Sequence, residues 1–264
     1  MRTEKARCVT YEQRDMLAFI GLNRPDKRNA INDELIDEIE IAVRRASSEA
    51  KVGILFGHGD HFSAGLDLVE FSSKTPFQSL TGSRRWHAVF DQIQRGAIPF
   101  VSALHGAVVG GGLELAASTH VRIADETSFF ALPEGQRGIF VGGGGSVRLA
   151  RMMTAARMTD LILTGRVLDV VEAERFGVVN YTVAPGKALE KAIQLSRAIA
   201  NNAPMSNFSI INALPRIQDM AQDDGMFVES LLSALTQSAP EAIERLEMFV
   251  KKRAARLSIP PQVS

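Results

Sequence analysis

One glycine-rich stretch, Ser102–Ala117, constrains the fold of this chain more than any other. It reads SALHGAVVGGGLELAA: an apolar run, three consecutive glycines, and then good helix formers. Because glycine has no side chain, a ligand can approach this backbone closely. A helix that begins at about Gly111 has free N–H groups and a positive dipole end, which suit a negatively charged oxygen. Glu114 adds a carboxylate one turn into that helix, and the combination indicates a catalytic site.

Two nucleotide-binding interpretations of the glycine runs fail on their spacing. The segment Gly110–Leu115, GGGLEL, lacks the third glycine of the dinucleotide fingerprint. The second run, Gly142–Gly145, is followed by Ser-Val-Arg and not by the Gly-Lys-Ser/Thr of a phosphate-binding loop. A tight turn with a purely structural role stays open as an alternative at this point.

The composition is that of an ordinary globular protein. The chain has 264 residues, enough for one large domain or for a domain with an appendage. Hydrophobic residues make up 45% of it and charged residues 23%. Since 30 basic residues balance 30 acidic ones, no net field attracts nucleic acid or a membrane surface. We therefore expect neither as a partner.

Cysteine content and the N-terminal residues lead us to expect a cytoplasmic protein. Cys8 is the only cysteine, so no internal disulfide can form. The start, MRTEKARCVTYE, has no apolar core of a signal peptide, and its two glutamates argue against a transit peptide. No stretch approaches the roughly 20 uninterrupted apolar residues of a membrane span.

The histidines and serines indicate neither a metal site nor a hydrolase triad. His58 and His61 are close in sequence, but the Gly-Asp pair between them is typical of a turn and not of a metal-binding helix. We therefore predict no metal ligands and a structural or surface role for each histidine. The chain has no Gly-x-Ser-x-Gly motif, which argues against an α/β-hydrolase.

Hydrophobic periodicity predicts an α/β core followed by helices alone. Predicted strands cover residues 7–12, 16–22, 52–56, 99–104, 121–124, 128–132 and 178–183. Predicted helices cover residues 32–47, 83–95, 146–153, 160–164, 170–176, 187–201 and most of 205–257. Residues 71–80 form a mobile connection in this prediction, and Ser238–Glu241 a capping box for the last helix. We accordingly divide the chain into a core, 1–185, and a helical region, 186–264.

A second turn, His61–Leu68, has the same plan as the opening stretch. It follows a predicted buried strand and runs through small residues into a helix start. Two such turns side by side are able to direct one backbone N–H each at a common point.

These segments together resemble the enoyl-CoA hydratase/isomerase (crotonase) superfamily over nearly the whole chain. The resemblance is carried by Asn23-Arg24-Pro25 with Asn29-Ala30-Ile31, His61–Leu68, His105–Ala117, Leu132-Pro133-Glu134, Leu163-Thr164-Gly165-Arg166, and Ala173 with Gly177-Val178-Val179. Each motif alone is weak, but their order and spacing are specific. The resemblance implies a spiral of strand–strand–helix repeats whose helical C-terminal region packs subunits into trimers, often paired into hexamers.

The resemblance also implies the ligand and its binding residues. The substrate is an acyl-CoA thioester, so coenzyme A is part of the substrate and no separate cofactor is expected. Its carbonyl oxygen lies in an oxyanion hole formed by the backbone N–H groups of Ala64 and Gly111. The segment Ala64-Gly65-Leu66-Asp67 follows the bent CoA, and Lys252 lies near the CoA phosphates.

Two glutamates favour hydration of a 2-enoyl-CoA within this superfamily. The resemblance aligns Glu114 and Glu134 with the pair that hydratases use, and two carboxyl groups in different protonation states can move both protons of the reaction. Isomerases commonly retain one of the pair, usually at the Glu134 position. Isomerisation, CoA-thioester hydrolysis, and a non-catalytic CoA-binding or scaffold role therefore stay open as alternatives.

The segment after Glu134 departs from the hydratase pattern. Gln136 and Arg137 stand where apolar residues are usual, and Val141 stands where a proline is usual. Since this segment is expected close to the acyl pocket, the departure indicates a polar or bulky acyl group.

Overall fold

The computed structural model describes residues 7–251. Contacts divide the chain into two compact units, one up to Asn202 and one from Ala203 onwards. The boundary predicted from the sequence, between an α/β core and a helical region, lies between residues 185 and 186. Helix α8 (Ala188–Ala200) lies on the sheet side of the observed division, because its small side chains Ala188, Ala192 and Ala200 are buried against the strands.

The first unit is built on a six-stranded sheet within the described residues. Its order is β1-β2-β3-β4-β6-β9, with β1 antiparallel to β2 and the other neighbours parallel. The strands are β1 (Val9–Arg14), β2 (Leu17–Leu22), β3 (Val52–Gly57), β4 (Phe100–Leu104), β6 (Val121–Asp125) and β9 (Tyr181–Val183). Strand side chains alternate between two faces. Ala18, Ile20 and Leu22 face the larger core, and Leu17 and Phe19 pack on the α8 side. All six strands were predicted.

A second, three-stranded sheet was only partly predicted. Its strands are β5 (Ala107–Val109), β7 (Phe129–Ala131) and β8 (Val167–Asp169), in the order β5-β7-β8. Strand β5 pairs with β7 in parallel, and β7 pairs with β8 in antiparallel orientation. The sequence predicted β7, which lies in the apolar run 129–132, and missed β5 and β8, each of which is defined by its pairing with β7.

The first unit contains eight α-helices among the described residues. They are α1 (Asp33–Glu49), α2 (Leu68–Phe71), α3 (Pro76–Gln94), α4 (Gly111–Ala116), α5 (Gly145–Met153), α6 (Ala155–Thr164), α7 (Val170–Arg175) and α8. Side chains cap three of them, α1, α3 and α7. The side chain of Asn32 accepts a hydrogen bond from Leu35 N and caps α1, as expected. Thr75 and Gln78 form a capping box at the start of α3. The helix start predicted at the end of His61–Leu68 is present as α2, whereas the predicted irregular connection over 71–80 was wrong from Pro76 onwards, where α3 begins.

The second unit consists of helices in its described part, up to residue 251. These are α9 (Pro204–Ile217), α10 (Gln222–Gln237) and α11 (Pro240–Val250). Helix α9 packs against α10. Ala239 is the N-cap residue of α11, and no side chain caps this helix. The predicted capping box at Ser238 is therefore wrong, and Pro240 at the first helical position starts the helix instead.

The described chain is a mixed α/β structure followed by helices, as the sequence predicted. Among residues 7–251, no helix has the combination of length and apolar character needed to cross a bilayer.

Candidate active site

Two small-residue turns lie side by side at the edge of the small sheet. Ser63 N donates to Ala107 O at 2.9 Å, and Val109 N donates to Ser63 O at 3.0 Å. This pairing is a parallel bridge between Ser63 and Val108. It brings the turn that follows β3 against β5 and the start of α4, as the two-turn interpretation of the sequence expected.

Glycines permit this close approach of the two backbones. Gly65 has φ +91°, and a Cβ atom there would lie 2.6 Å from Val109 O and 3.3 Å from Gly111 N. On the other turn, a Cβ atom at Gly112 would lie 2.7 Å from Ser63 O. A side chain at either position would separate the turns, so the glycines are required here by space and at Gly65 also by backbone conformation.

Of the two backbone amides expected to be free at the site, Gly111 N is free in the described part of the chain and Ala64 N is not. Ala64 N donates to Arg28 O at 2.8 Å, so its hydrogen is already used within the protein. Within residues 7–251, neither Leu66 N nor Gly111 N donates to a protein oxygen. A Cβ atom on Gly111 would lie 3.6 Å from Leu66 N, so these two free donors belong to adjoining segments. Leu66 therefore replaces Ala64 as the partner of Gly111 in the proposal below.

Glu114 lies on α4 with its carboxylate held by the second glycine run. Its side chain is 2% exposed. The amides of Gly143 and Gly145 both donate to Oε1 at 2.8 Å. Burial raises the pKa of Glu114, and the amide donors and the nearby Arg148 oppose that rise. One oxygen of this carboxylate is thus fixed by the backbone.

Glu134 follows β7 and has very different surroundings. Its Oε1 lies 2.8 Å from the position of a Cβ atom on Gly110, which directly precedes α4. Its Oε2 is buried and has no hydrogen-bond partner. Burial, aided by the charge of Glu114, raises the pKa of Glu134 to about 7, although its own backbone amide and Arg137 oppose the rise. An unpartnered carboxyl oxygen with a near-neutral pKa is typical of a group that handles a proton.

Both carboxyl groups and both free amides line one cavity of about 190 Å³. Apolar and polar side chains complete the wall. Its lining residues include Ile31, Leu66, Asp67, Phe71, Lys74, Ser83, Trp86, Gly110, Gly111, Glu114, Glu134, Arg137, Ile139, Phe140, Gly142 and Gly143. A mostly apolar cleft with a few convergent polar groups is the usual form of a small-molecule site.

The structure brings most of the predicted site residues together. Leu66 and Asp67 line the cavity, and Gly65 lies beneath them against Val109 and Gly111. Asp67 accepts from Arg24 at 3.0 Å and is therefore held in an ion pair. Lys252 lies outside the described residues.

Of the three residues after Glu134 that differ from the hydratase pattern, only one lines the cavity. Gly135–Arg137 form a 3-10 turn, and Arg137 lines the cavity. Gln136 instead donates to Thr164 O at 3.3 Å, at the end of α6. Val141 is buried in the core. Of these three residues, Arg137 is therefore the one placed to contact a substrate.

Arg148 is a supporting residue that the sequence analysis missed. It is 8% exposed, and its guanidinium donates to Gly143 O at 3.0 Å and to Asp91 at 3.0 Å. Since Gly143 N holds Glu114, Arg148 fixes the loop that orients the catalytic candidate. No motif in the sequence indicates this role, because the pattern around Arg148 is that of any arginine in a helix.

The histidines examined as metal ligands have structural partners. His61 Nδ1 accepts from Ala107 N at 3.1 Å, and His58 Nε2 lies 2.7 Å from Thr10 Oγ1. Over residues 7–251, the group with metal-ligand spacing is Cys8, Glu34 and Glu38. It does not line the cavity.

Comparison with known proteins shows the family to which the chain belongs. The family model described as enoyl-CoA hydratase/isomerase matches residues 12–258. The chain is 29% identical over 248 residues to the enoyl-CoA hydratase EchA19 of Mycobacterium tuberculosis, covering 92% of this chain and 93% of that one. It is 29% identical over 247 residues to the 2,3-dehydroadipyl-CoA hydratase of Escherichia coli, covering 93% and 95%.

A solved structure shares the fold closely. A protein from Rhodopseudomonas palustris, described as a candidate enoyl-CoA hydratase, superimposes with a TM-score of 0.90 at 43% identity. The match covers 93% of this chain and 95% of that chain. The predicted crotonase-like α/β fold is thereby confirmed. With a family model that spans almost its whole length, the chain belongs to the enoyl-CoA hydratase/isomerase family.

Proposed function

We propose that the protein adds water across the double bond of a 2-enoyl-CoA thioester. The observation that carries this proposal is the pair of carboxyl groups, Glu114 and Glu134, on one cavity with the free amides of Leu66 and Gly111. Hydration needs all four groups, because a proton must leave water, another must reach carbon, and negative charge must be stabilised on the thioester oxygen.

The two free amides bind the thioester oxygen in this proposal. Attack on C3 moves electrons towards the carbonyl, so negative charge develops on that oxygen in an enolate-like transition state. Leu66 N and Gly111 N donate to it from fixed positions, and Gly111 adds the positive end of helix α4. Preorganised donors of this kind contribute several kcal/mol to transition-state stability.

The two carboxyl groups divide the proton transfers. Glu114, with Oε1 held by two amides, keeps its other oxygen as an acceptor for the attacking water. Glu134, whose pKa is raised to about 7, supplies the proton to C2. The hydroxyl is added to C3, and exchange of one proton between the carboxyl groups and solvent restores the starting state. The net reaction consumes water alone.

Coenzyme A is part of the substrate in this proposal, and no separate cofactor is required. The turn 64–67 is the segment along which we expect the CoA to bend. Lys252 is retained as an expected contact of the CoA phosphates. Asp67 shapes the turn through its ion pair with Arg24, so its role is to hold the backbone of Leu66 in position.

The direct test is loss of the enoyl-thioester absorbance across a panel of short, long, branched and aryl 2-enoyl-CoAs. A hydratase removes this absorbance and forms 3-hydroxyacyl-CoA, which chromatography identifies. A 3-enoyl-CoA in the same panel detects isomerisation through a gain of absorbance, and a thiol reagent detects CoA released by hydrolysis. Turnover of 3-enoyl-CoA alone, or thiol release alone, would replace hydration with the corresponding alternative; absence of all three signals would contradict an enzymatic role.

A further inference from the structure

Arg137 is a cation of the cavity that has no protein partner. Over residues 7–251, its guanidinium makes no ion pair and no hydrogen bond with the protein. Its side chain is exposed at the cavity wall, close enough to Glu134 for its charge to act on that carboxyl. An arginine in such a position has its planar set of donors available to a ligand.

The other charges on the exposed part of the cavity are already matched. Lys74 binds Asp33 at 2.6 Å and lies 3.5 Å from Glu70. Asp67 is paired with Arg24. Lys74 and Arg24 each have a carboxylate partner, although the three carboxylates outnumber these two cations by one. Among residues 7–251, the cation without a partner that a ligand meets on this part of the cavity is therefore Arg137.

Arg137 lies on the segment that would face the acyl group. It follows Glu134 by three residues, and Ile139 and Phe140 of the same segment also line the cavity. The CoA-following turn, 64–67, is a different segment of the chain. With the thioester oxygen at Leu66 and Gly111 and C2 at Glu134, the remainder of the acyl chain extends along the segment that carries Arg137.

We propose that the preferred substrate is a 2-enoyl-CoA whose acyl chain ends in a carboxylate, and that Arg137 binds this carboxylate. The inference rests on the proposed hydration. A carboxylate fits the guanidinium in a two-point pair, which is stronger than a neutral hydrogen bond and is sensitive to geometry. An uncharged chain end makes no such pair. Because Arg137 is partly in water, we expect a selectivity of about tenfold rather than a much larger one.

The test compares two thioesters that differ only at the chain end. One is a 2-enoyl-CoA with a terminal carboxylate, and the other is its terminal methyl ester. For the unmodified protein we expect kcat/KM to be about tenfold higher for the carboxylate. In Arg137→Gln the ratio should fall to about one, and in Arg137→Glu it should fall below one. The matched control is Arg175→Gln, which removes an exposed arginine of α7 that does not line the cavity and should leave the ratio unchanged.

The ratio separates this inference from other roles of Arg137. If Arg137 acts only through Glu134, its replacement changes kcat/KM by the same factor for both substrates, and this factor cancels in the ratio. Equal losses for both substrates, with weaker inhibition by free CoA, would assign Arg137 to the CoA phosphates and overturn the inference. A ratio of one in the unmodified protein would also overturn it while leaving hydration intact. Absence of hydration with both thioesters would instead refute the proposed function itself, and the inference with it.

Discussion

At the scale of single residues, Glu114 and Glu134 are two glutamates of one cavity in different surroundings. Glu114 is held through Oε1 by two glycine amides, whereas Oε2 of Glu134 is buried without a donor. An amide donor favours the ionised form of a carboxyl, and its absence favours the protonated form. The pair is therefore suited to accept a proton at one position and supply one at the other.

Replacing either glutamate with glutamine tests this division. Gln keeps the size and the hydrogen-bonding capacity but cannot exchange a proton at neutral pH. In a hydratase, Glu114→Gln and Glu134→Gln should each lower kcat by at least about 100-fold, with CoA affinity and the circular dichroism spectrum nearly unchanged. The double variant should be little worse than the poorer single one, because the residues act as a unit.

The same variants distinguish the alternatives. An isomerase should lose most activity only in Glu134→Gln, and a scaffold protein should show no change beyond stability. Full hydration activity in Glu114→Gln, measured with folded protein, would contradict the two-carboxyl mechanism.

The pH dependence of kcat/KM tests the protonation state of Glu134 more directly than a substitution does. Burial raises the pKa of Glu134 to about 7, and the protonated form is the one that supplies a proton to C2. Hydration kcat/KM should therefore fall as the pH rises through about 7. Dehydration kcat/KM of a 3-hydroxyacyl-CoA should fall in parallel, because the net reaction releases no proton and the ratio of the two kcat/KM values equals a pH-independent equilibrium constant. The descending limb should be absent in Glu134→Gln. A limb that persists in that variant would belong to another group.

At the residue scale, the sequence predicted which side chains lie at the cavity better than which backbone N–H groups are free there. Glu114 and Glu134 were identified from motifs, and both line the cavity. The family resemblance placed one backbone donor at Ala64, two residues before Leu66 in the same short motif. Only the fold shows that Arg28 O already accepts from Ala64 N. The use of an N–H depends on distant chain segments, and a motif contains no record of them.

At the element scale, the proposed mechanism uses the backbone donors of α4 and of the turn at Leu66. Gly111→Pro and Leu66→Pro each remove one free N–H, and loss of one such donor costs on the order of 100-fold in kcat. Proline is otherwise tolerated at the first position of a helix such as α4. Hydration by purified, folded variants measures the effect.

Alanine variants are the matched controls for these two changes. A Cβ atom at Gly111 would lie 2.7 Å from Trp86 Cζ3, so Gly111→Ala tests this crowding while it keeps the N–H. Leu66→Ala likewise keeps the donor and removes only the side chain. The proline variants should be much less active than the alanine ones. Equal activities within each pair would show that the donors at these positions do not act in catalysis.

Element boundaries were predictable where side chains determine them. The α1 cap at Asn32 and the buried strands follow from capping preference and apolar runs. The start of α3 was missed although Thr75 and Gln78 carry a capping box, because its first turn is largely exposed and lacks an apolar period. Strands β5 and β8 were missed because each is defined by its pairing with β7, a contact that no local pattern of the sequence shows.

At the scale of the whole molecule, one helix face is left exposed by the part of the second unit that the structure describes, residues 203–251. In α11, the side chains Ile243, Leu246, Phe249 and Val250 are 50% to 77% exposed. They recur at helical spacing, as the sequence analysis expected of this helix. A contiguous apolar face of this kind on a terminal helix marks an interaction surface.

We predict that this face of α11 joins copies of the chain into a trimer or a pair of trimers. Sedimentation should then give three or six times the subunit mass of 28.7 kDa. Leu246→Asp places a charge in the buried contact and should shift the species to monomer, because an unpaired buried charge is costly. Glu244→Gln, on the opposite side of α11, should leave the assembly unchanged. A monomer at micromolar concentration in the unmodified protein would refute the assembly, and an unchanged mass for Leu246→Asp would exclude this face from the contact.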